Sequence, residues 1–445
     1  GARGSRHFED AFAHQIAFAR RRRADPRRAV ALLDLAAAQN SRTHRPSDTA
    51  VIQAEVDALR GTPAPIGRWL LTAPIGAGGM GQVWRAVDPA TGAEAAVKVL
   101  SEWSTPAARD RFRGEVETIA RLDHPGIVRL LETEIVGAVA ASLADVEEGA
   151  FALIMELADG GPLTRSQGSA TAEELRAVAA SVLTALAHAH ARDVVHLDLK
   201  PSNLLRDSRR GVLLADFGIA QVLAETGSRP LGGTPGYRAP EQRDPARLGP
   251  WSDLYALGCT LVALSAGAPP ADGGEVRTGD ASLDAWIRCL LAPSPAARFP
   301  SAIAALAALQ GTERRLPPAP PSPEAVPPPS VLVLSMRPPP IVGRRAAQEW
   351  LWSALRSARD GARHVVLSGE EGMGVSRLVE WLVQTAHEVA GVRTLEEVEG
   401  PGEELSIALA PDDPAALLET WPGAPLLVIS TARSGGDLHL GPLAE

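Results

Sequence analysis

The chain has 445 residues, 45% of them hydrophobic, and a formal net charge of -9. That length predicts two domains with linkers, the apolar content excludes wholesale disorder, and the acidic balance argues against a protein built to wrap nucleic acid. No apolar run approaches a membrane span and no signal peptide is visible, so a cytoplasmic location is expected. The two cysteines, Cys259 and Cys289, lie in apolar helical contexts without metal-ligand spacing and read as core thiols.

Residues 1–61 read as a small helical segment. Phe8, Phe12, Ile16 and Ala19 recur at helical spacing, as do Val30, Leu33 and their neighbours and then Val51, Ile52, Val56 and Leu59. The basic run from Arg20 to Arg23 is read as a solvated helix face or a partner surface, with no function assigned. A Pro-rich hinge at 62–65 leads into a strand over 66–75, the loop Gly76-Ala77-Gly78-Gly79-Met80-Gly81 and a second strand over 82–87. Glycines let backbone amides approach phosphates where a Cβ would clash. A dinucleotide-binding loop should open a helix, whereas Val83-Trp84-Arg85-Ala86-Val87 continues as a strand. A third strand ends Ala95-Ala96-Val97-Lys98-Val99-Leu100, and a lysine there is costly unless it meets negative charge.

A helix is predicted over 105–122, then a turn at His124-Pro125. The uneven, Ala-rich stretch 133–149 reads as an extended connection and 151–157 as a buried strand. A long buried helix over 171–191 opens with a capping box from Thr171 to Glu174. Next comes His196-Leu197-Asp198-Leu199-Lys200-Pro201-Ser202-Asn203, and then Asp216-Phe217-Gly218. An Asp to accept the proton of a hydroxyl, a Lys two residues on to steady a migrating phosphoryl and an Asn to hold a metal are what phosphoryl transfer from ATP needs.

On these motifs, with Ala239-Pro240-Glu241 closing the segment, the chain resembles a Hanks-type serine/threonine protein kinase. The Gly-Gly-Met-Gly loop and the Ala, Arg and Pro usage resemble the bacterial members. The resemblance implies an α+β, bilobal protein kinase fold over 66–311, with an antiparallel N-lobe sheet plus helix and a helical C-lobe. It implies ATP and Mg2+, or Mn2+ in its place, as cofactors and protein serine or threonine hydroxyls as substrates. The catalytic set it implies is Asp198, Lys200, Asn203, Lys98, its partner Glu115 (Glu117 being the weaker choice) and Thr234. Asn203 and Asp216 would hold metal. The nucleotide would be bound by Ile75, Gly76, Gly78, Gly79, Gly81, Val83, Ala96, Lys98, Met155, Glu156, Leu157 and Leu205. Asp253 should hold the catalytic-loop backbone, and Arg298 should pair with Glu241 in the interior.

Two departures stand out. Leu197 replaces the arginine that clamps an activation-segment phosphate in regulated kinases, so the resemblance is to the non-RD type. Thr226, Ser228 and Thr234 remain candidates for phosphorylation, without that clamp. Between 265 and 283 the short Gly- and Pro-rich sequence predicts that the usual substrate-docking helix is reduced or missing. A rival reading is a pseudokinase or signalling scaffold, which the full set of catalytic residues disfavours.

Residues 312–340 form a proline-rich linker. Over 341–445 the run His364-Val365-Val366-Leu367-Ser368-Gly369 followed by Glu370-Glu371-Gly372-Met373-Gly374-Val375-Ser376 resembles the P-loop of a STAND- or AAA-type ATPase. Val375 stands where the phosphate-binding lysine belongs, and Asp412-Asp413 match a metal-binding carboxylate poorly. A degenerate, partial α/β P-loop-like domain is expected, cut short of where such modules continue. It is expected to regulate the kinase segment through an intramolecular contact.

Overall fold

The computed structural model describes residues 14–19, 26–43, 46–59, 63–78, 81–100, 116, 119–217, 234–244, 247–270, 276–311, 341, 344–370, 372–395, 405–409, 418, 420, 424–432 and 436–440. They divide into two compact units. One takes the described residues through Ala120 together with Val128–Asp159; the other takes Arg121–Ile127 and everything described from Gly160 onward, residues 326–337 lying outside the description.

The first unit is built on a six-stranded antiparallel sheet in the order β1-β2-β3-β4-β6-β5. The strands are β1 (Pro65–Ile66), β2 (Trp69–Gly78), β3 (Gly81–Val87), β4 (Glu94–Leu100), β5 (Leu130–Ile135) and β6 (Phe151–Glu156). The period of two sorts β4 between its faces. Ala95, Val97 and Val99 join one apolar cluster, while Ala96, Lys98 and Leu100 point the other way. Helices α1 (Pro26–Thr43) and α2 (Pro46–Asp57) close that cluster with Val30, Leu33, Ala36, Ile52 and Val56. The helical prefix is therefore core to the sheet, on the face opposite Lys98. Burying such side chains contributes roughly 1.5–3 kcal/mol each.

The extended connection expected over 133–149 is instead a helix, α3 (Ala138–Ala144), set between β5 and β6. Ala-Val-Ala-Ala-Ser-Leu-Ala has high helix propensity. Its first turn is capped from α1, where Asp34 Oδ1 accepts the Val139 N–H at 2.7 Å. The cap lies 105 residues away in the chain, beyond the reach of any local sequence signal.

In the second unit α4 (Ala172–His190) opens with the expected capping box: Thr171 Oγ1 accepts the Glu174 N–H at 3.2 Å, and Glu174 Oε2 accepts the Thr171 N–H at 2.9 Å. Leu175, Val182, Leu183 and Leu186 of α4 pack with α5 (Pro250–Ala266), α6 (Ala281–Leu290) and α7 (Ala302–Gln310). A small sheet, β7 (Gly161–Pro162), β8 (Leu204–Asp207) and β9 (Gly211–Leu214), lies beside them. No helix occurs among the described residues between α5 and α6.

The same unit carries a five-stranded sheet, parallel throughout, in the order β11-β12-β13-β10-β14. Helix α8 (Arg345–Ser357) precedes β10 (Arg363–Gly369), and a loop leads from β10 into α9 (Val375–Ala390). Then come β11 (Arg393–Leu395), β12 (Ser406–Leu409), β13 (Leu426–Ala432) and β14 (Leu438–Leu440). Leu426-Leu427-Val428-Ile429 is buried throughout, as a central strand covered on both faces requires. Asp412 and Asp413 lie outside the described residues. No described helix is long and apolar enough to cross a membrane.

Candidate active site

The loop after α4 has too little regular structure to satisfy its own backbone, so side chains from distant elements do it. Asp253, in the first turn of α5, accepts the His196 N–H on Oδ2 and the Leu197 N–H on Oδ1, each at 2.8 Å. His190 Nε2–H donates to the same Oδ2 at 2.8 Å. Gln242 Nε2 donates to the Leu197 carbonyl at 3.0 Å, and Thr260 Oγ1, whose nearer acceptor is the Ala256 carbonyl at 2.7 Å, sits 3.3 Å from the carbonyl of Leu199. Leaving any of these buried groups unpaired costs about 1–3 kcal/mol. The network holds Leu197 buried at φ +61°, a conformation side-chain-bearing residues rarely adopt.

His196 ties this loop to the next segment. Its Nε2–H donates to the Ala215 carbonyl at 2.8 Å, its Nδ1 accepts the Asp198 N–H at 3.2 Å, and its ring packs edge-on against Phe217 at 4.8 Å. The Ala215 N–H in turn reaches the Asn203 carbonyl at 2.9 Å, so Asp216 (φ +64°) begins where the loop is pinned.

Asp198 is the hub of the result. Its Oδ2 accepts from Lys200 Nζ at 2.7 Å and from Asn203 Nδ2 at 3.3 Å. Its Oδ1 accepts the Thr234 N–H and the Thr234 hydroxyl, both at 2.9 Å. Lys200 Nζ also donates to Thr234 Oγ1 at 2.6 Å, so one hydroxyl is donor to the carboxylate and acceptor from the ammonium. The carboxylate is buried, and every contact it makes here is one it accepts, three from neutral donors and one from a cation. Asn203 Nδ2 also donates to the Asp198 carbonyl at 2.9 Å, and its Oδ1, which accepts the Ser202 hydroxyl at 3.2 Å, is the oxygen it can offer a cation. Asp198, Lys200, Asn203 and Thr234 thus come together, although Thr234 lies 36 residues beyond Asp198.

The described positions expected at the nucleotide fall in the first unit, apart from Leu205 on β8. Ile75, Gly76 and Gly78 end β2, and Gly81 and Val83 begin β3; Gly76 faces Val83 and Gly78 faces Gly81 in a hairpin. At Gly81 (φ +137°) any Cβ would run into the Val99 carbonyl. Val83 pairs with Lys98 across β3–β4, and Ala96 pairs with Met155 across β4–β6. Leu157 follows β6. The Glu156 N–H is spent on the Arg129 carbonyl at 3.0 Å, so that donor is not available to a ligand. Gly79, Glu115 and Glu117 lie outside the described residues.

Three supports were invisible as such in the sequence: His190, Gln242 and Thr260. His190 and Thr260 are polar residues in largely apolar helices, which marks a partner without saying which, whereas Gln242 stands among charged residues and carries no such mark. His124 is occupied in its turn, Nδ1 accepting the Gly126 N–H at 3.0 Å, and burial pushes it down to about 4. Cys259 and Cys289 are free thiols, and burial pushes Cys259 up to about 12, which removes it as a nucleophile.

The protein kinase domain family matches residues 69–296. The DNA damage-responsive serine/threonine-protein kinase RqkA of Deinococcus radiodurans is 37% identical over 215 residues, covering 46% of this chain and 31% of that protein. The serine/threonine-protein kinase PknA of Mycobacterium tuberculosis is 35% identical over 237 residues, 52% of each chain. PknJ of the same organism is 36% identical over 284 residues, 55% of this chain and 46% of that protein. The chain spans between a third and a half of the length of these relatives.

Proposed function

This chain belongs to the protein kinase family, and we propose that it transfers the γ-phosphate of ATP to serine or threonine hydroxyls of protein substrates. The observation that carries the reading is the hydrogen-bonded set around Asp198. In the reaction the Asp198 carboxylate orients the substrate hydroxyl and takes its proton. Lys200, held between Asp198 and Thr234, supplies positive charge beside the migrating phosphoryl. The Lys200–Thr234 arrangement favours serine and threonine over tyrosine as acceptors.

Lys98, on the sheet face away from the helical prefix, would bind the α- and β-phosphates, with Glu115 as its partner. The β2–β3 hairpin from Gly76 to Gly81 would cover the phosphates, while Val83, Ala96, Met155 and Leu205 would enclose adenine. Asn203 Oδ1 and the Asp216 carboxylate are hard oxygen donors that suit Mg2+, or Mn2+. When bound, such an ion neutralises phosphate charge. Leu197 is apolar and buried and offers no cation to an activation-segment phosphate, so switching by a phosphate held there is not expected.

For 341–445 we favour a degenerate P-loop module. The support is β10 between β13 and β14, with its loop entering α9 at Val375 in place of lysine. Without that charge ATP hydrolysis by this part is not expected.

The test is phosphate transfer from labelled ATP by the intact chain, with a generic basic protein as acceptor, against Asp198→Asn. Transfer that disappears in the variant while ATP binding persists upholds the reading. Equal label in both, or none in either, overturns it.

A further inference from the structure

The last turn of α9, in the domain that follows the family-matched segment, packs against the end of α4. Glu388 Oε1 accepts from His188 Nδ1 at 3.1 Å, and Oε2 accepts from Arg192 Nη1 at 2.9 Å. Arg192 Nη1 also donates to the His188 carbonyl at 2.8 Å, one of the terminal carbonyls that α4 cannot satisfy itself. His188 Nε2 accepts the Asp123 N–H at 3.2 Å, which places its proton on the Nδ1 facing Glu388. Burial works against the charge on Glu388, yet the His188 hydrogen bond and the Arg192 guanidinium outweigh it and hold the carboxyl at about 2. The α9 C-cap, Gly391 (φ +65°), presses on the start of α7. A Cβ there would lie 2.7 Å from Ser301 Oγ and 2.9 Å from Ile303 Cγ2.

The clamped end of α4 also feeds the catalytic loop. Two residues beyond His188, His190 reaches Asp253 Oδ2, the oxygen that takes the His196 N–H. Four residues beyond Arg192 the chain is at His196, and Asp198 follows. We propose that Glu388 is a positioning residue for phosphoryl transfer: by bracing the end of α4 it fixes the Asp253-anchored loop that presents Asp198. Docking of the C-terminal domain then sustains turnover by the kinase segment. This rests on the kinase reading above. It adds that residues outside the family-matched segment belong to the support of the active site.

The experiment compares the intact chain with Glu388→Ala, Glu388→Gln and Gly391→Ala, measuring kcat, KM for ATP and amide hydrogen exchange. Glu388→Ala should lower kcat about fivefold with KM for ATP unchanged, the size of a modest site-to-site coupling. Glu388→Gln keeps one acceptor and should fall between. Gly391→Ala, which forces the same helix off α7 without touching the polar cluster, should reproduce the loss. In the affected variants exchange should quicken at the His196 and Leu197 amides while Leu183 and Leu186 in mid-α4 stay protected, which separates a loosened loop from an unfolded domain. Arg345→Ala, at an exposed pair with Glu349 on α8, should change nothing. Unchanged or raised kcat, or unchanged exchange at His196 and Leu197, overturns the proposal. If the parent chain transfers no more phosphate than Asp198→Asn, the kinase reading falls instead, and the amide exchange alone decides whether Glu388 braces the loop.

Discussion

The Asp253 carboxylate holds the His196 amide at 2.8 Å from 57 residues further along the chain. With the Leu197 amide and His190 on the same carboxylate, three buried donors depend on one side chain. Asp253→Ala leaves them without an acceptor in the interior. We expect a stability loss of about 2–5 kcal/mol in urea unfolding, and transfer activity reduced well beyond what the unfolded fraction explains.

Thr234 contributes two hydroxyl contacts and one backbone contact to the site. Thr234→Ala removes the hydroxyl and keeps the N–H bond to Asp198. Lys200 and Asp198 then remain paired at 2.7 Å but lose the group that fixes their angle. We expect kcat to fall by about 10–100-fold with KM for ATP little changed, and Thr234→Ser to restore most of it. A rise in KM alone would mean that Thr234 serves nucleotide binding instead.

What the sequence could and could not disclose divides by range. The Asp198-Lys200-Asn203 spacing, the Thr171–Glu174 box and the β2–β3 hairpin are written within a few residues, and each has a physical reason at that spacing. The Arg298–Glu241 pair and the Asp253 anchor were legible only through resemblance, since a separation of 57 positions carries no periodic signal. The α3 helix was missed because its cap comes from α1. The packing of α1 and α2 on the sheet was missed for a related reason: amphipathic spacing says that a face is buried, not against what. Nothing around Glu388 marks it, since a glutamate near a helix end is by default a solvated residue.

Arg298 and Glu241 form a two-pronged pair at 2.6 and 2.9 Å, both buried. Arg298 also donates to the carbonyls of Ala292, Trp251 and Pro293, so it ties two further segments to one carboxylate. Burial alone would raise the Glu241 carboxyl, but Arg298 and Ser252 pull it below its ordinary value. Arg298→Ala strands that carboxylate, and we expect a cost of about 3–5 kcal/mol, read as a fall in Tm. The sign with pH follows: the depressed carboxyl stabilises the fold above its unfolded pKa, and that contribution is lost as pH falls through the folded value. The Arg298→Ala deficit should therefore shrink in acid.

Asp34 behaves in the opposite sense. Burial, with Glu148 nearby, pushes its carboxyl up from 3.8 to about 6, although the Val139 N–H pulls the other way. A carboxyl raised on folding favours the folded state while protonated, so its contribution is full below about 4 and is lost as pH rises through about 6. At pH 7.5 the chain thus carries a half-buried charge on α1 whose compensation is the cap on α3. Asn at this position keeps an oxygen for the Val139 N–H and removes the charge. We expect Asp34→Asn to stabilise the intact chain at pH 7.5 by about 1–3 kcal/mol and to have little effect at pH 4, measured by thermal unfolding at both. Destabilisation at pH 7.5 would show that the ionised carboxylate, through its hydrogen bond to the α3 terminus, is worth more than its burial costs.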